Sequence, residues 1–369
     1  MNILTCSFKG FLNVSYRAFP HMHACASPLA AMRSFLTRNT EVVTSRKVIG
    51  VTFDTFAGPV RQPYPLSKEE AFSFVENVLG LEHPDTLFKT DPLKNLTKIA
   101  EGIKKVSPYT TMSFWDGSLY QLNDYYFKHR MIHGHGGGCV VINPFTKAIL
   151  DHLGYTTYDV SARVVASSDA FHLSTIVCDL SYPGSIHLVE PGTIRPLFHP
   201  IALDFEQESS VYEVYGLRNK FFKRNDGNVV WCMEPLPKML NRLGNHEVIQ
   251  DSAGTKWQIF LIYMLQRKMG RCHFNEYWHK VIRGKRYIPP RTNGFVYVAY
   301  KNGDLIHVFA GKQKIFVQTL HKDATEEAQE LTKEELLRLF EKNFPGFPTR
   351  MVGRAIQDNF QISQLLRNQ

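Results

Sequence analysis

His133-Gly134-His135-Gly136-Gly137-Gly138-Cys139-Val140-Val141-Ile142-Asn143-Pro144 brings three consecutive glycines into a cysteine. Glycines let a backbone turn sharply and come close to a ligand. Phe145 to Leu153 then reads as a helix ended by Gly154 in the C′ position. A thiol near a helix start sits where free N–H groups and the helix dipole favour the thiolate, the form that attacks. Two other readings fit the same letters. One is a glycine loop with an incidental buried cysteine. The other is a metal site drawn from His133, His135 and Cys139. Zinc normally takes four ligands, and neither His129 nor His152 completes a familiar spacing.

Downstream, Phe171-His172-Leu173-Ser174-Thr175-Ile176-Val177-Cys178 opens a strongly β segment with a histidine at its mouth. His187-Leu188-Val189-Glu190-Pro191-Gly192 ends the next strand with a carboxylate. Cysteine, histidine and carboxylate on separate elements match nucleophile, base and orienter. Asp179 competes for the third role. Its odd offset from His172 turns it to the other face of a regular strand, so Glu190 is preferred. A histidine that merely starts a strand and a surface glutamate at a strand end remain the plain alternatives.

Around this centre the chain divides. Residues 1–60 read as a leader and an entry strand at Val48 to Phe53, followed by the linker Arg61-Gln62-Pro63-Tyr64-Pro65. Ser67 with Glu70 forms a capping box. Phe72, Val75 and Leu79, then Leu93, Leu96, Ile99 and Ile103, keep helical periodicity. Trp115 to Ser118 is a turn. From Val160 to Met233 the pattern is one of short strands, with Asp226-Gly227 as a hairpin turn. Trp257 to Met269 reads as helix, Phe295 to Phe309 as a hairpin around Asn302-Gly303, and Leu331 to Phe344 as a helix capped by Thr332 and Glu335. Helices followed by antiparallel strands and a mixed end predict an α+β fold. The expected parts are an N-terminal helical bundle over 61–155, a central antiparallel β-barrel-like domain over 156–250, and a C-terminal α/β lid over 251–369.

Composition narrows the function classes. The six cysteines have no close pairing, which argues against a disulfide scaffold or zinc ribbon and for a reducing compartment. No window approaches eighteen uninterrupted apolar residues, so no transmembrane helix is expected. Of the formal net charge of +9, residues 1–40 supply Lys9, Arg17, Arg33 and Arg38 with no acid before Glu41. That segment reads either as a mitochondrial presequence or as a tail, and the location as cytoplasmic or mitochondrial. No dense basic stripe with interleaved aromatics appears, so neither nucleic acid nor membrane is an expected partner.

The stretch from 135 to 164 resembles the arylamine N-acetyltransferases, whose signature is Arg-Gly-Gly-x-Cys followed by Glu-x-Asn, Leu-Gly-Phe and Ala-Arg-Val. Here stand His135-Gly136-Gly137-Gly138-Cys139, Asn143, Leu153-Gly154-Tyr155 and Ala162-Arg163-Val164. His172-Leu173 matches the family's histidine. Val189-Glu190-Pro191-Gly192-Thr193-Ile194 matches its Val-Asp-Val-Gly-Phe-Gly. The likeness runs from about 66 to 205 and is diffuse beyond, where Leu331 to Leu336 resembles the family's last helix. The departures are His135 for arginine, Val141 for glutamate, Glu190 for aspartate, Thr193 for phenylalanine, and Val106-Ser107-Pro108-Tyr109-Thr110-Thr111 for Val-Pro-Phe-Glu-Asn. Pro144 falls where the cysteine's helix should run, and would start a new helix or kink it.

The resemblance implies a cysteine-protease-like core and a Cys139–His172–Glu190 triad. It implies acetyl-CoA as donor, an arylamine- or hydrazine-like acceptor, no metal, and Tyr109, Gly136, Gly137, Gly138, Gly192 and Thr193 at the binding surfaces. A hydrolase using the same triad and a non-catalytic binding protein on the same scaffold are the rival classes. If residues 1–40 are a separable leader, a chain begun at Thr40 should keep the full chain's melting temperature; a large drop would show that the segment packs on the body.

Overall fold

Ser67 accepts from the Glu70 amide at 3.2 Å while Glu70 reaches back to the Ser67 amide at 2.8 Å. This reciprocal cap starts helix α1 (Lys68–Ser73), which runs on as a π-turn through Phe74–Val78. The computed structural model describes residues 47–48, 51–52, 64–112, 124–164, 172–234, 247–265, 295–311 and 314–356. The expected leader lies outside them, as do the Trp115–Ser118 turn and residues 266–269. In place of one entry strand, β1 (Lys47–Val48) and β2 (Val51–Thr52) pair with each other.

After α2 (Leu87–Thr90), Asp91 caps α3 (Pro92–Val106) through the Lys94 amide at 3.1 Å, with proline in the first turn. Leu96, Ile99 and Ile103 turn inward as their spacing requires, whereas Leu93 is exposed. Next come the two-residue strand β3 (Tyr109–Thr110), α4 (Asp124–Ile132) and α5 (Cys139–Leu153). Helix α5 begins six residues before the periodic stretch Phe145–Leu153 and contains Pro144, with no second start after Asn143. It ends at Gly154 in the left-handed conformation.

Strands β4 (Thr156–Val164), β5 (His172–Cys178), β6 (Ile186–Val189), β7 (Ile201–Ala202), β8 (Tyr212–Val214), β9 (Leu217–Lys223), β10 (Val229–Met233) and β12 (Lys256–Tyr263) form one antiparallel sheet. Their order is β7-β6-β5-β4-β12-β10-β9-β8, with β11 (Val248–Gln250) paired to β12. The sheet is curled into a half-barrel. The helix expected from Trp257 is therefore a strand, central in the sheet between β4 and β10. Trp257, Gln258, Ile259, Leu261, Ile262 and Tyr263 are all buried. A strand covered on both faces shows neither the period of two nor that of 3.6, and its letters alone cannot tell it from a buried helix. The domain boundary expected after residue 250 falls inside this β11–β12 pairing.

Strands β13 (Phe295–Lys301), β14 (Asp304–Ala310), β15 (Ile315–Leu320) and β16 (Glu326–Leu331) make a second antiparallel sheet, with the hairpin turn at Asn302-Gly303 as read. Helix α6 (Lys333–Asn343) carries the Thr332–Glu335 capping box and packs Leu336 and Phe340 against Tyr297. A helix over 349–356 closes the described chain. One edge strand of this sheet is β3, so the helical region supplies a strand to the C-terminal layer.

That strand also clasps the glycine loop. The Gly137 amide donates to the Pro108 carbonyl at 3.1 Å and the Thr110 amide to the Gly137 carbonyl at 3.0 Å. Gly136 has φ +55°, and a Cβ there would lie 1.9 Å from the Pro108 oxygen. Gly136→Ala is therefore expected to lower stability by at least about 2 kcal/mol, combining left-handed backbone strain with a backbone clash. Denaturant unfolding of the variant checks this.

Candidate active site

Three neighbouring elements bring the cysteine, histidine and carboxylate together. Cys139 is the first residue of α5, and the N-cap, Gly138, has no side chain to take the first-turn N–H groups. His172 is the first residue of β5, paired across to Ala162 of β4. Glu190 follows the last residue of β6, which pairs with β5 through Thr175 and Val189. The His172 Nε2 lies 2.8 Å from the Glu190 Oε2, and the ring also hydrogen-bonds the Cys139 thiol. With Nε2 given to the carboxylate, Nδ1 is the nitrogen left for sulfur. Asp179, the rejected carboxylate, has φ +56° and caps a turn by accepting from the Gly184 amide at 2.6 Å.

Glu190 is 1% exposed and is faced by donors on every side. Asn143 Nδ2 reaches Oε1 at 2.8 Å; Tyr263 OH reaches Oε2 at 3.3 Å; Ser174 Oγ donates to Oε2 as well. Burial and the carboxylate hold the Tyr263 phenol far above its usual range, so it is a fixed donor. Burial by itself drives the His172 ring toward neutrality. Glu190, Cys139 and the hydrogen bonds to both outweigh that and raise it to about 10. A histidine held charged from its ordinary 6.5 up to about 10 adds stability that is fully present below pH 6.5 and fades as pH rises toward 10.

Asn143 is the hub that sequence reasoning quoted but gave no role. Besides Glu190, its Nδ2 donates to the Leu173 carbonyl and its Oδ1 accepts from the Gly192 amide at 2.9 Å. A Cβ on Gly192 would meet that amide group at 2.6 Å, so this glycine serves the close approach of Asn143. Ser174 was also missed, although it lies two residues from His172 on the same strand face. Tyr263 and Lys104 gave no local signal at all.

The residues expected at binding surfaces are placed unequally. Gly136 and Gly137 are packed against Pro108 and the Val141 side chain, whereas a Cβ on Gly138 would enter open space. Thr193 is buried, its hydroxyl donating to the Arg195 carbonyl at 3.0 Å. Tyr109 lies in β3, packed at the junction of the helical core and the second sheet. His129, His133 and His135 form a ring cluster apart from the triad, with centroids 4.1 and 6.2 Å apart. Among the described residues no three His, Cys, Asp or Glu side chains, these included, are arranged so that they could hold a metal ion.

No family profile and no curated protein matches the amino-acid sequence. The three-dimensional structure does find likenesses. It resembles the arylamine N-acetyltransferase of Nocardia farcinica at TM-score 0.60 and 15% identity, over 81% of this chain and 98% of that one. The fold is that of the arylamine N-acetyltransferases. The enzyme of Mycobacterium marinum in complex with CoA matches at TM-score 0.58 and 14% identity, over 79% and 99% of the two chains. Arylamine N-acetyltransferase C of Bacillus anthracis matches at 0.55 and 15%, over 75% and 98%.

His135 stands where the acetyltransferase pattern has arginine, and the carbonyls of this loop are bonded from the helix before it. Arg130, 1% exposed, donates from Nε to the Gly136 carbonyl at 2.9 Å and from Nη2 to the His135 carbonyl at 3.4 Å. The exchange of aspartate for Glu190 is met by Asn143, Ser174 and Tyr263. All four contacts to Glu190 are donors, and the N–H groups of Asn143 and protonated His172 cannot accept in return, so Glu190→Gln must turn an N–H toward one of them. Wild-type Cys139 should be alkylated rapidly at pH 6, where a free thiol is protonated. His172→Ala should need a pH near 8.5 for the same rate. Glu190→Gln should cut acylation by on the order of 10³–10⁴, and Glu190→Asp should also fall because the shorter arm leaves these donors. Alkylation that titrates alike in all four proteins would dissolve the triad.

Proposed function

We propose that this protein is an acyltransferase that moves an acetyl group from acetyl-CoA to an amine through an acyl-Cys139 intermediate. The observation that carries the reading is the buried His172 ring, bonded to the thiol on one side and to Glu190 on the other. His172 Nδ1 takes the thiol proton, giving a thiolate–imidazolium pair that Glu190 stabilises. The sulfur attacks the thioester carbonyl carbon. The tetrahedral oxyanion forms beside the first-turn N–H groups of α5, the candidate donors. The bond to CoA sulfur breaks and CoA leaves with the proton from His172. An amine then attacks the acyl-cysteine, gives its proton to His172, and releases the thiolate.

The fold it shares with N-acetyltransferases, one of them in complex with CoA, supports acetyl transfer in general and a CoA thioester as partner. An arylamine or hydrazine acceptor is the finer part of the proposal, carried over from the sequence resemblance. The acceptor side departs most, since Thr193 is buried where the family has phenylalanine.

Incubation with acetyl-CoA followed by intact mass measurement and peptide mapping tests donor, nucleophile and class together. An added acetyl group on Cys139, absent in Cys139→Ala and removed by an arylamine with formation of its acetamide, is the expected result. A label on Cys178 or Cys232, or none, would overturn the nucleophile. Release as free acetate in the presence of amine would make the protein a hydrolase instead.

A further inference from the structure

Lys104 occupies an inward position of α3, beside Ile103 and Ala100, and is 3% exposed. A lysine is almost never buried without a partner. Its partners all belong to the turn that carries Glu190. Nζ lies 2.9 Å from the Pro191 carbonyl and 3.4 Å from the Thr193 hydroxyl, and it also bonds the Thr193 carbonyl. Three acceptors converge on one nitrogen. An ammonium offers three N–H donors and no acceptor, so the charged form satisfies all three, whereas a neutral amine has only two N–H groups to give.

Resting on the acyl-transfer reading above, we propose that Lys104 is a positioning residue for the reaction. Its ammonium clamps the turn from Pro191 to Thr193 and so keeps the Glu190 carboxylate seated on His172. The turn is held from two sides, by Asn143 at the Gly192 amide and by Lys104 at the carbonyls on either side of it. Asn143 fixes the carboxylate end, and Lys104 fixes the chain that presents it. Neither Pro191 nor Thr193 has another cation on its carbonyl among the described residues.

The surroundings make the clamp sensitive to pH. Burial pulls Lys104 down to about 7, and Glu190 pulls the other way. Arg195 of the same turn is held down to about 9 by burial. His307 of β14 is pushed to about 3, by burial first and then by Arg195 and Lys104, and so stays neutral. Beyond Glu190 lie the imidazolium of His172 and Cys139; on the solvent face of α3, Lys105 pairs with Glu101 at 2.6 Å. The clamped form is the protonated one. Acetyl transfer should therefore be highest below pH 7 and fall as pH rises through about 7, while His172 is still charged.

The test compares wild type with Lys104→Met and Lys104→Arg. Acetyl transfer is followed as a function of pH with acetyl-CoA and an arylamine, and Cys139 alkylation is measured at pH 6. Lys104→Met should slow alkylation at pH 6 by about tenfold, equal to about one pKa unit, and its transfer profile should be low and lack the limb near 7. Lys104→Arg keeps a charge that does not titrate in this range, so its limb should move up by more than one pH unit. Rapid alkylation at pH 6 in wild type and Lys104→Met alike, with the same limb in both, would overturn the positioning role and leave the triad standing. Slow alkylation in the wild type itself would sink the triad reading instead. Should Lys104→Met fail to fold, the other two proteins still decide: a wild type without the limb, or a limb that Arg does not move, refutes the clamp.

Discussion

Four donors close on the buried carboxylate of Glu190, and they come from three elements: Asn143 from α5, His172 and Ser174 from β5, Tyr263 from β12. A buried charge costs several kcal/mol unless its oxygens are fully bonded, so each of those elements is held to the others by the need to meet it. Asn143 reaches across from the helical region to β5 and to the Glu190 turn. Strand β12 must be central rather than helical for Tyr263 to arrive. The interaction that makes the site chemically plausible is thus also the one that docks helix against sheet.

The same carboxylate organises the charges around it. His172 keeps its proton because Glu190 and Cys139 outweigh burial. Lys104 lacks so close a partner, and burial brings it near neutrality. Two basic groups near one carboxylate, His172 bonded to it and Lys104 bonded to the turn that carries it, therefore titrate in different ranges. His307, buried and near the charges of Arg195 and Lys104, has no hydrogen-bond partner at either ring nitrogen among the described residues and stays neutral.

What could be read from the sequence follows from how each signal is stored. Cys139, His172 and Glu190 stand at element starts or ends beside glycine, a short β-branched run or proline, and local punctuation reveals such places. Both capping boxes and the Asp226-Gly227 and Asn302-Gly303 turns were legible for the same reason: their chemistry is complete within four residues. Strand β12 was not, because burial on both faces erases the period. Strand β3 was not, because two residues carry no pattern. Tyr263 and Lys104 act only through contacts 73 and 87 residues away in the chain. Nothing near either residue separates a tyrosine in an apolar run, or a lysine in a helix, from its many ordinary counterparts. Ser174 was the recoverable omission, since a strand's period of two places it on the face of His172.

At the departures from the acetyltransferase pattern, the buried polar groups have partners. Glu190 has a longer arm than the family's aspartate, and its carboxylate is received by Asn143, Ser174 and Tyr263 as well as by His172. With His135 in place of arginine before the glycines, the 135 and 136 carbonyls are bonded by Arg130, one helix earlier. Replacing phenylalanine by Thr193 removes a large ring from beside the turn and puts there a hydroxyl that Lys104 can bond. Random decay of an unused site would leave buried carbonyls and a buried carboxylate without donors, at a cost of about 1–3 kcal/mol for each group. Here those groups are met, by side chains that must themselves be buried to do it. The buried groups around Cys139 are thus bonded on both sides of the Glu190 turn, by Asn143, Ser174 and Tyr263 at the carboxylate and by Lys104 at the chain that carries it.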